Sequence, residues 1–185
     1  MIKRTVAFTA IIILLGCSSL SAEEKAPKSK IGAIFDVGVP NNVYNSENYG
    51  VSASYKRKLS TRKHNFWSIN AGYMRFSDDI RTRDDLKLTA GFGVMSPQFF
   101  KERVSMFAEI DFGIKYKMQN DYYIGDYLYE GYDKVDGVLG VSAGLIYPLS
   151  KNISFDWKIK LGLPLKFNKD DMYYSGIGLG LSYSF

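Results

Sequence analysis

The sequence predicts an all-β chain: eight antiparallel strands closed into an up-and-down transmembrane β-barrel. Three observations predict it. The last ten residues, Gly176 to Phe185, alternate strictly, with Ile177, Leu179, Leu181, Tyr183 and Phe185 apolar and Gly176, Gly178, Gly180, Ser182 and Ser184 small. A period of two means a strand with two different faces. Comparable alternating stretches recur through the rest of the chain, and ten residues is about what a strand tilted by ~45° needs to cross a hydrocarbon core. Finally, the composition (14 Tyr, 12 Phe and 17 Gly against 5 Pro) suits alternating strands with aromatic girdles at the membrane interfaces.

The elements follow in chain order. Lys3 and Arg4 precede an apolar run from Val6 to Leu15, and small residues follow from Gly16 to Ala22. This is the pattern of a secretory signal over 1–22, too short in its apolar part to be a membrane helix. Two processing routes stay open. One is cleavage after Ser21 or Ala22, which is preferred. The other is lipidation of Cys17 in Leu14-Leu15-Gly16-Cys17, which resembles a bacterial lipoprotein box although Leu15 replaces the usual small residue. Cys17 is the only cysteine, so a chain processed after it has no disulfide and no cysteine metal site. Removing 1–22 from 185 residues leaves 163, and the loss of Lys3 and Arg4 lowers the net charge from +5 to +3, too little to argue for nucleic acid.

Residues 23–30 read as a short polar lead-in and 31–185 as the barrel. The first strand is Ile31–Val39, stopped by Pro40, which cannot donate to a ladder. The next three are Tyr49–Leu59, Phe66–Phe76 and Leu86–Met95. The fifth and longest, Val104–Met118, sets Val104, Ala108, Ile110, Phe112 and Ile114 against Ser105, Glu109, Asp111 and Lys115. Gly137–Tyr147, Ile153–Leu163 and Gly176–Phe185 complete eight. No stretch after the signal approaches the ~18 consecutive apolar residues of a membrane helix. An even strand number puts both termini on one side. The connections 60–65, 96–103 and 148–152 then lie with the termini, and 40–48, 77–85, 119–136 and 166–175 lie at the other end.

Alternation alone leaves the facing open, because a soluble barrel of lipocalin type alternates with its apolar face inside. The polar face decides. It is dominated by Gly and Ser with charges of both signs at a minority of positions, whereas a water-facing surface carries more Lys and Glu. A narrow lumen wants small residues. The apolar face is therefore expected to meet lipid, and the barrel to be closed, since an open edge in lipid leaves backbone groups unpaired.

The terminal strand resembles that of the integral outer-membrane barrels of Gram-negative bacteria. In those proteins it ends in Phe, with an aromatic residue two positions earlier and apolar residues at alternate positions before that. Phe185, Tyr183, Leu181 and Leu179 fit this pattern. The resemblance is to small barrels of the OmpA-like, OmpX-like and opacity-protein type. It implies an integral protein of the cell outer membrane with both barrel termini in the periplasm. It also implies contact with outer-membrane lipids and lipopolysaccharide, recognition of the terminal strand by the barrel-assembly machinery, and a monomer. The implied role is structural and surface-interactive, without catalysis or cofactor. Rival readings are a narrow porin-like channel and a lipid A-modifying barrel enzyme. The enzymes of that kind rely on a histidine near the outer rim with a serine and an acid. The only histidine here is His64, in a connection on the terminus side among Arg62, Lys63 and Asn65, without that set.

Three groups of residues are candidate sites. Inward positions hold Asp36, Glu109, Asp111 and Asp156 with Lys56, Lys58, Lys87, Lys115, Lys117, Lys158 and Lys160. An eight-stranded interior is about wide enough for side chains to fill it, and unpaired buried charge is costly. Glu109, Asp111, Asp156, Lys87 and Lys158 are expected to form a mid-barrel salt-bridge network; a narrow polar pore is the alternative. The loop 119–136 carries Tyr122, Tyr123, Tyr127, Tyr129 and Tyr132 with Asp121, Asp126, Glu130, Asp133 and Asp136 against Lys134. Tyrosine gives large contact area at low entropy cost. This loop is a recognition surface for a host or surface ligand, or else its rings pack on one another at the rim. The acidic pairs Asp78-Asp79, Asp84-Asp85 and Asp170-Asp171 match no Ca²⁺ loop spacing and read as solvated charge.

Overall fold

The computed structural model describes residues 29–38, 47–59, 64–77, 80, 82–96, 104–165 and 174–185. The signal segment, Cys17, Asp78, Asp79, Asp170 and Asp171 lie outside the described residues.

Ten strands form. They are β1 (Ser29–Gly38), β2 (Glu47–Lys58), β3 (Asn65–Ser77), β4 (Thr82–Met95), β5 (Ser105–Gln119), β6 (Tyr122–Ile124), β7 (Tyr127–Tyr129), β8 (Tyr132–Pro148), β9 (Ile153–Pro164) and β10 (Tyr174–Ser184). Eight of them close a barrel in the order β1-β10-β9-β8-β5-β4-β3-β2, and β6 and β7 pair apart as a hairpin. Every barrel pairing is antiparallel. The seam joins the first and last strands, from Lys30 opposite Ser184 to Gly38 opposite Gly176. Ser29 and Phe185 extend it by exchanging two backbone hydrogen bonds of 3.0 Å each. Among the described residues the barrel itself has no open edge, which is the condition for a sheet in lipid.

The faces divide as the alternation expects. Phe112 is 58 % exposed and Leu181 54 %, whereas Asp36 is 3 % exposed and Glu109 3 %. Most apolar side chains point outward and most charged ones inward, the inverse of a soluble barrel. Gly and Ser on the inner wall leave room for the long charged side chains to cross the lumen.

Two expected boundaries are corrected. The expected loop 77–85 is shorter, because Thr82 to Asp85 belong to β4. The expected loop 119–136 contains the β6–β7 hairpin, and its last five residues, Tyr132 to Asp136, begin β8. In both places the strand continues past the point where alternation of apolar and polar residues stops. Ladder hydrogen bonds need only backbone, while alternation is enforced only where one face meets lipid. The lead-in also gives up Ser29 and Lys30 to β1.

The lumen has two ends, named here for their connections: the turn end, near the termini, and the loop end. Toward the turn end an apolar cluster sits among inward serines and lysines. Phe66, Phe107 and Ile146 are buried together, with Met95 against them, and the two rings meet edge to face at 6.5 Å.

Candidate functional site

The lumen charges sit on strands whose register aims them at one another. Lys56 of β2 reaches Glu109 of β5 at 2.9 Å, while Ser68 donates to the same carboxylate at 2.5 Å and Asn70 at 2.9 Å. The Lys56 ammonium also lies 3.8 Å from the Phe107 ring centroid and 4.8 Å from that of Phe66, a cation–π contact that ties the network to the apolar turn end. Lys87 pairs with Asp111 at 3.0 Å. Asp156 pairs with Lys30 at 3.1 Å and accepts from Ser182 at 2.9 Å. Lys160 reaches Asp36 at 2.6 Å, and Ser52 donates to the other oxygen of that carboxylate at 2.7 Å. Toward the loop end, Lys117 pairs with Asp136 at 2.6 Å, and Asp85 is shared by Arg83 at 3.0 Å and Lys115 at 3.6 Å.

The structure therefore divides what the sequence reading joined. Glu109, Asp111 and Asp156 each take a different lysine, and Lys158 makes no ion pair with any of them among the described residues. Sequence reasoning also misses four members: Lys30, which falls in the expected lead-in, and Arg83, Asp85 and Asp136, which fall in expected loops; Asp85 and Asp136 are buried. The signal was available: Asp85 shares parity with Lys87 and Thr89, and Asp136 with Val138, Gly140 and Ser142, so extending the period-two count outward brings both inside. The adjacent pair Asp84-Asp85 does not converge, since neighbours on a strand point to opposite faces. Asp84 instead accepts outside from Tyr73 at 2.8 Å and from Arg75 at 2.9 Å.

The hairpin is the second candidate. Ile124 pairs with Tyr127 across a two-residue turn, and Gly125 takes a φ of 60°, as the first position of a tight hairpin turn requires. Tyr122 and Tyr129 stack at 5.1 Å with planes 7° apart. Asp121 ties the base by accepting from the Gly131 amide at 2.6 Å. The five tyrosines therefore separate. Tyr122 and Tyr129 pack on each other as the rim reading expects, while Tyr123 and Tyr127 stand free, Tyr127 at 76 % exposure. Tyr132 lies in β8, outside the hairpin.

Leu179, Leu181, Tyr183 and Phe185 form one outward row along β10 and the residue after it, all exposed, with the last two rings 6.3 Å apart. His64 is exposed at the turn end, where its carbonyl accepts from Met95 at 2.7 Å; its ring makes no hydrogen bond to a described residue.

Comparison with known proteins gives the class from the fold. No family model matches the chain, and no curated protein matches it. Solved structures do. The attachment invasion locus protein Ail of Yersinia pestis aligns over 86 % of this chain and 99 % of its own, at 17 % identity and a TM-score of 0.58. Neisserial surface protein A aligns over 85 % and 96 %, at 12 % identity and a TM-score of 0.59. The outer membrane enzyme PagL aligns over 82 % and 97 %, at 13 % identity and a TM-score of 0.55. The chain thus has the fold of the small eight-stranded transmembrane barrels of outer membranes. That fold carries surface proteins and an enzyme alike, so function has to be argued from the sites.

Proposed function

We propose that this protein is an integral outer-membrane barrel that acts at the cell surface through the β6–β7 hairpin and does no catalysis. The observation that carries this reading is the hairpin itself: Tyr123 and Tyr127 are held out from a base fixed by the Tyr122–Tyr129 stack. Rings displayed on a rigid turn lose little entropy on binding, which favours contact with a partner. The termini then lie in the periplasm and the hairpin outside the cell. The outward apolar face meets the lipid and lipopolysaccharide of the bilayer, and the row ending in Phe185 is read by the barrel-assembly machinery. The barrel acts as a monomer.

The filled lumen supports this over a porin-like channel, because Phe66, Phe107 and Ile146 occupy its turn end. The likeness to PagL supports an enzyme only weakly, because the single histidine sits exposed at the turn end without a serine or acid on its ring. The test is replacement of Tyr123 and Tyr127 together by Ser, with adherence of expressing cells to host-cell monolayers as the readout. Adherence should fall while the amount of folded barrel in the outer membrane stays constant. Unchanged adherence overturns the role given to the hairpin.

A further inference from the structure

A cavity of about 370 Å³ lies at the turn end of the lumen. That size falls within the range of small-molecule sites, roughly 300–1,000 Å³. Its basic wall is Lys30, Lys56, Lys58 and His64, and among the described residues no carboxylate lines it. The register explains this concentration of charge. Lys30 of β1 stands directly opposite Lys56 of β2, and Lys58 follows two residues on, on the same face. Like charges opposite each other on a sheet are destabilising, and a guest of opposite charge relieves that repulsion.

Two carboxylates answer three lysines there. Asp156 holds Lys30 at 3.1 Å and Glu109 holds Lys56 at 2.9 Å, both from outside the lining of the cavity. Lys58 makes no ion pair with a described residue, and it stands exposed at the rim with His64. The excess is one positive charge before His64 is counted. The uncharged wall points the same way. Ser105 and Ser154 are each 8 % exposed, line the cavity, and make no side-chain hydrogen bond to a described residue. A buried hydroxyl without a partner is costly, and both remain as donors toward the cavity. On the lumen side Phe66, Met95 and Ile146 form an apolar floor.

We infer that this cavity binds one small phosphate monoester. Its phosphate is held among Lys58, His64 and the Lys30–Lys56 pair, and its organic part lies on Phe66 and Met95. Such a group carries about −1.5 to −2 charge at neutral pH and three strong acceptor oxygens, which matches donors converging from several strands. A carboxylate presents only two oxygens in one plane, and a halide uses neither the volume nor the apolar floor. The ester comes from solution or as the headgroup of a lipid such as phosphatidic acid, and both present the same group to the same residues. The ring floor makes the site a terminus rather than a passage.

The test is calorimetric titration of the whole folded barrel in octyl glucoside micelles, in phosphate-free buffer, with phenyl phosphate as the probe. The wild type should bind one equivalent. Benzoate and phenol, which keep the ring without the phosphate, should bind at least about tenfold more weakly. K58M with H64Q should weaken phenyl phosphate by about tenfold or more, the scale of losing one charge-assisted hydrogen bond. Both positions are exposed at the rim, so the variant keeps the barrel, and heat-modifiable migration on gels checks that it does. No binding by the wild type overturns the site without reference to any variant. Equal binding of benzoate or phenol overturns it too, as does equal binding of phenyl phosphate by the variant. Competition from phosphatidic acid added to the micelles identifies a lipid headgroup as the source, and undisturbed binding identifies a soluble ester.

Discussion

The two ends of the lumen are closed by different physics. Toward the turn end Phe66 is 1 % exposed and packs with Phe107 and Ile146, so at that level the lumen is closed by apolar volume. From mid-barrel to the loop end, the lumen is closed by lysines and carboxylates that hold one another across it, with a cavity between them. Rings seal by filling space, and their seal is indifferent to ionic conditions. Ion pairs fill space less completely, and each is stable only while its partner is present. Lys56 stands at the border, paired with Glu109 on one side and lying over the Phe107 ring on the other. The difference teaches that one narrow barrel can be filled by an apolar cluster at one level and by a mesh of ion pairs at another.

The largest expected effect comes from removing the ring seal. F66A with F107A should cost about 3–5 kcal/mol per ring if the neighbours do not collapse into the space. The double variant should also pass ions in planar bilayers where the wild type is closed. Refolding free energy and single-channel current read the two consequences, and a double variant as closed as the wild type breaks the contrast between the ends.

Removing one member of a buried pair comes close behind. E109A leaves the Lys56 ammonium without its carboxylate and should destabilise by about 3–5 kcal/mol in urea unfolding from vesicles. A loss under about 1 kcal/mol, the level of a surface pair, shows that water in the lumen already screens the charges there.

A third comparison contrasts wall and lumen at one level of the barrel. Arg at Ala143, which faces outward, should cost about 2–4 kcal/mol if it meets the bilayer midplane. Arg at Ser142, one residue away on the inner face, should be tolerated better, because Glu109 lies opposite it on β5. If A143R refolds into vesicles as well as S142R, the outer face is not in lipid.

The smallest effect belongs to the rim. Asp84 accepts from Arg75 and Tyr73 on the outer surface, with the two members of the ion pair 25 % and 40 % exposed, and D84N should change stability by about 0–1 kcal/mol in the same assay. A loss as large as that from E109A would mean that the outer rim is as dry as the lumen.

How much of this was legible follows from where each face's surroundings are uniform. Within the bilayer each strand meets lipid on one side and a polar lumen on the other, so Ile177 to Phe185 and Ile110 to Ile114 declare their strands without help. Beyond it, both sides of Arg83–Asp85 and Tyr132–Asp136 are polar. The pattern vanishes while the ladder goes on, and those residues read as loop. The partners of the lumen charges were out of reach for a different reason. Lys30 and Asp156 are 126 residues apart, and their meeting depends on the register of three strands. Phe66 and Phe107 left a trace that could have been read, since each is a large aromatic on the face otherwise given to Gly, Ser and charge.

The seam between β1 and β10 sets the order in which this protein comes into being. Its pairs join the first described strand to the last, the longest separation in sequence among the described strand pairings, and such contacts form late and slowly because most of the chain must be ordered before they offset its entropy. Ser29 and Phe185 complete the final rung with two hydrogen bonds. Until that seam forms, β1 and β10 each carry an open edge that another strand could join. The stage before the seam closes is therefore when the chain is most exposed to wrong partners.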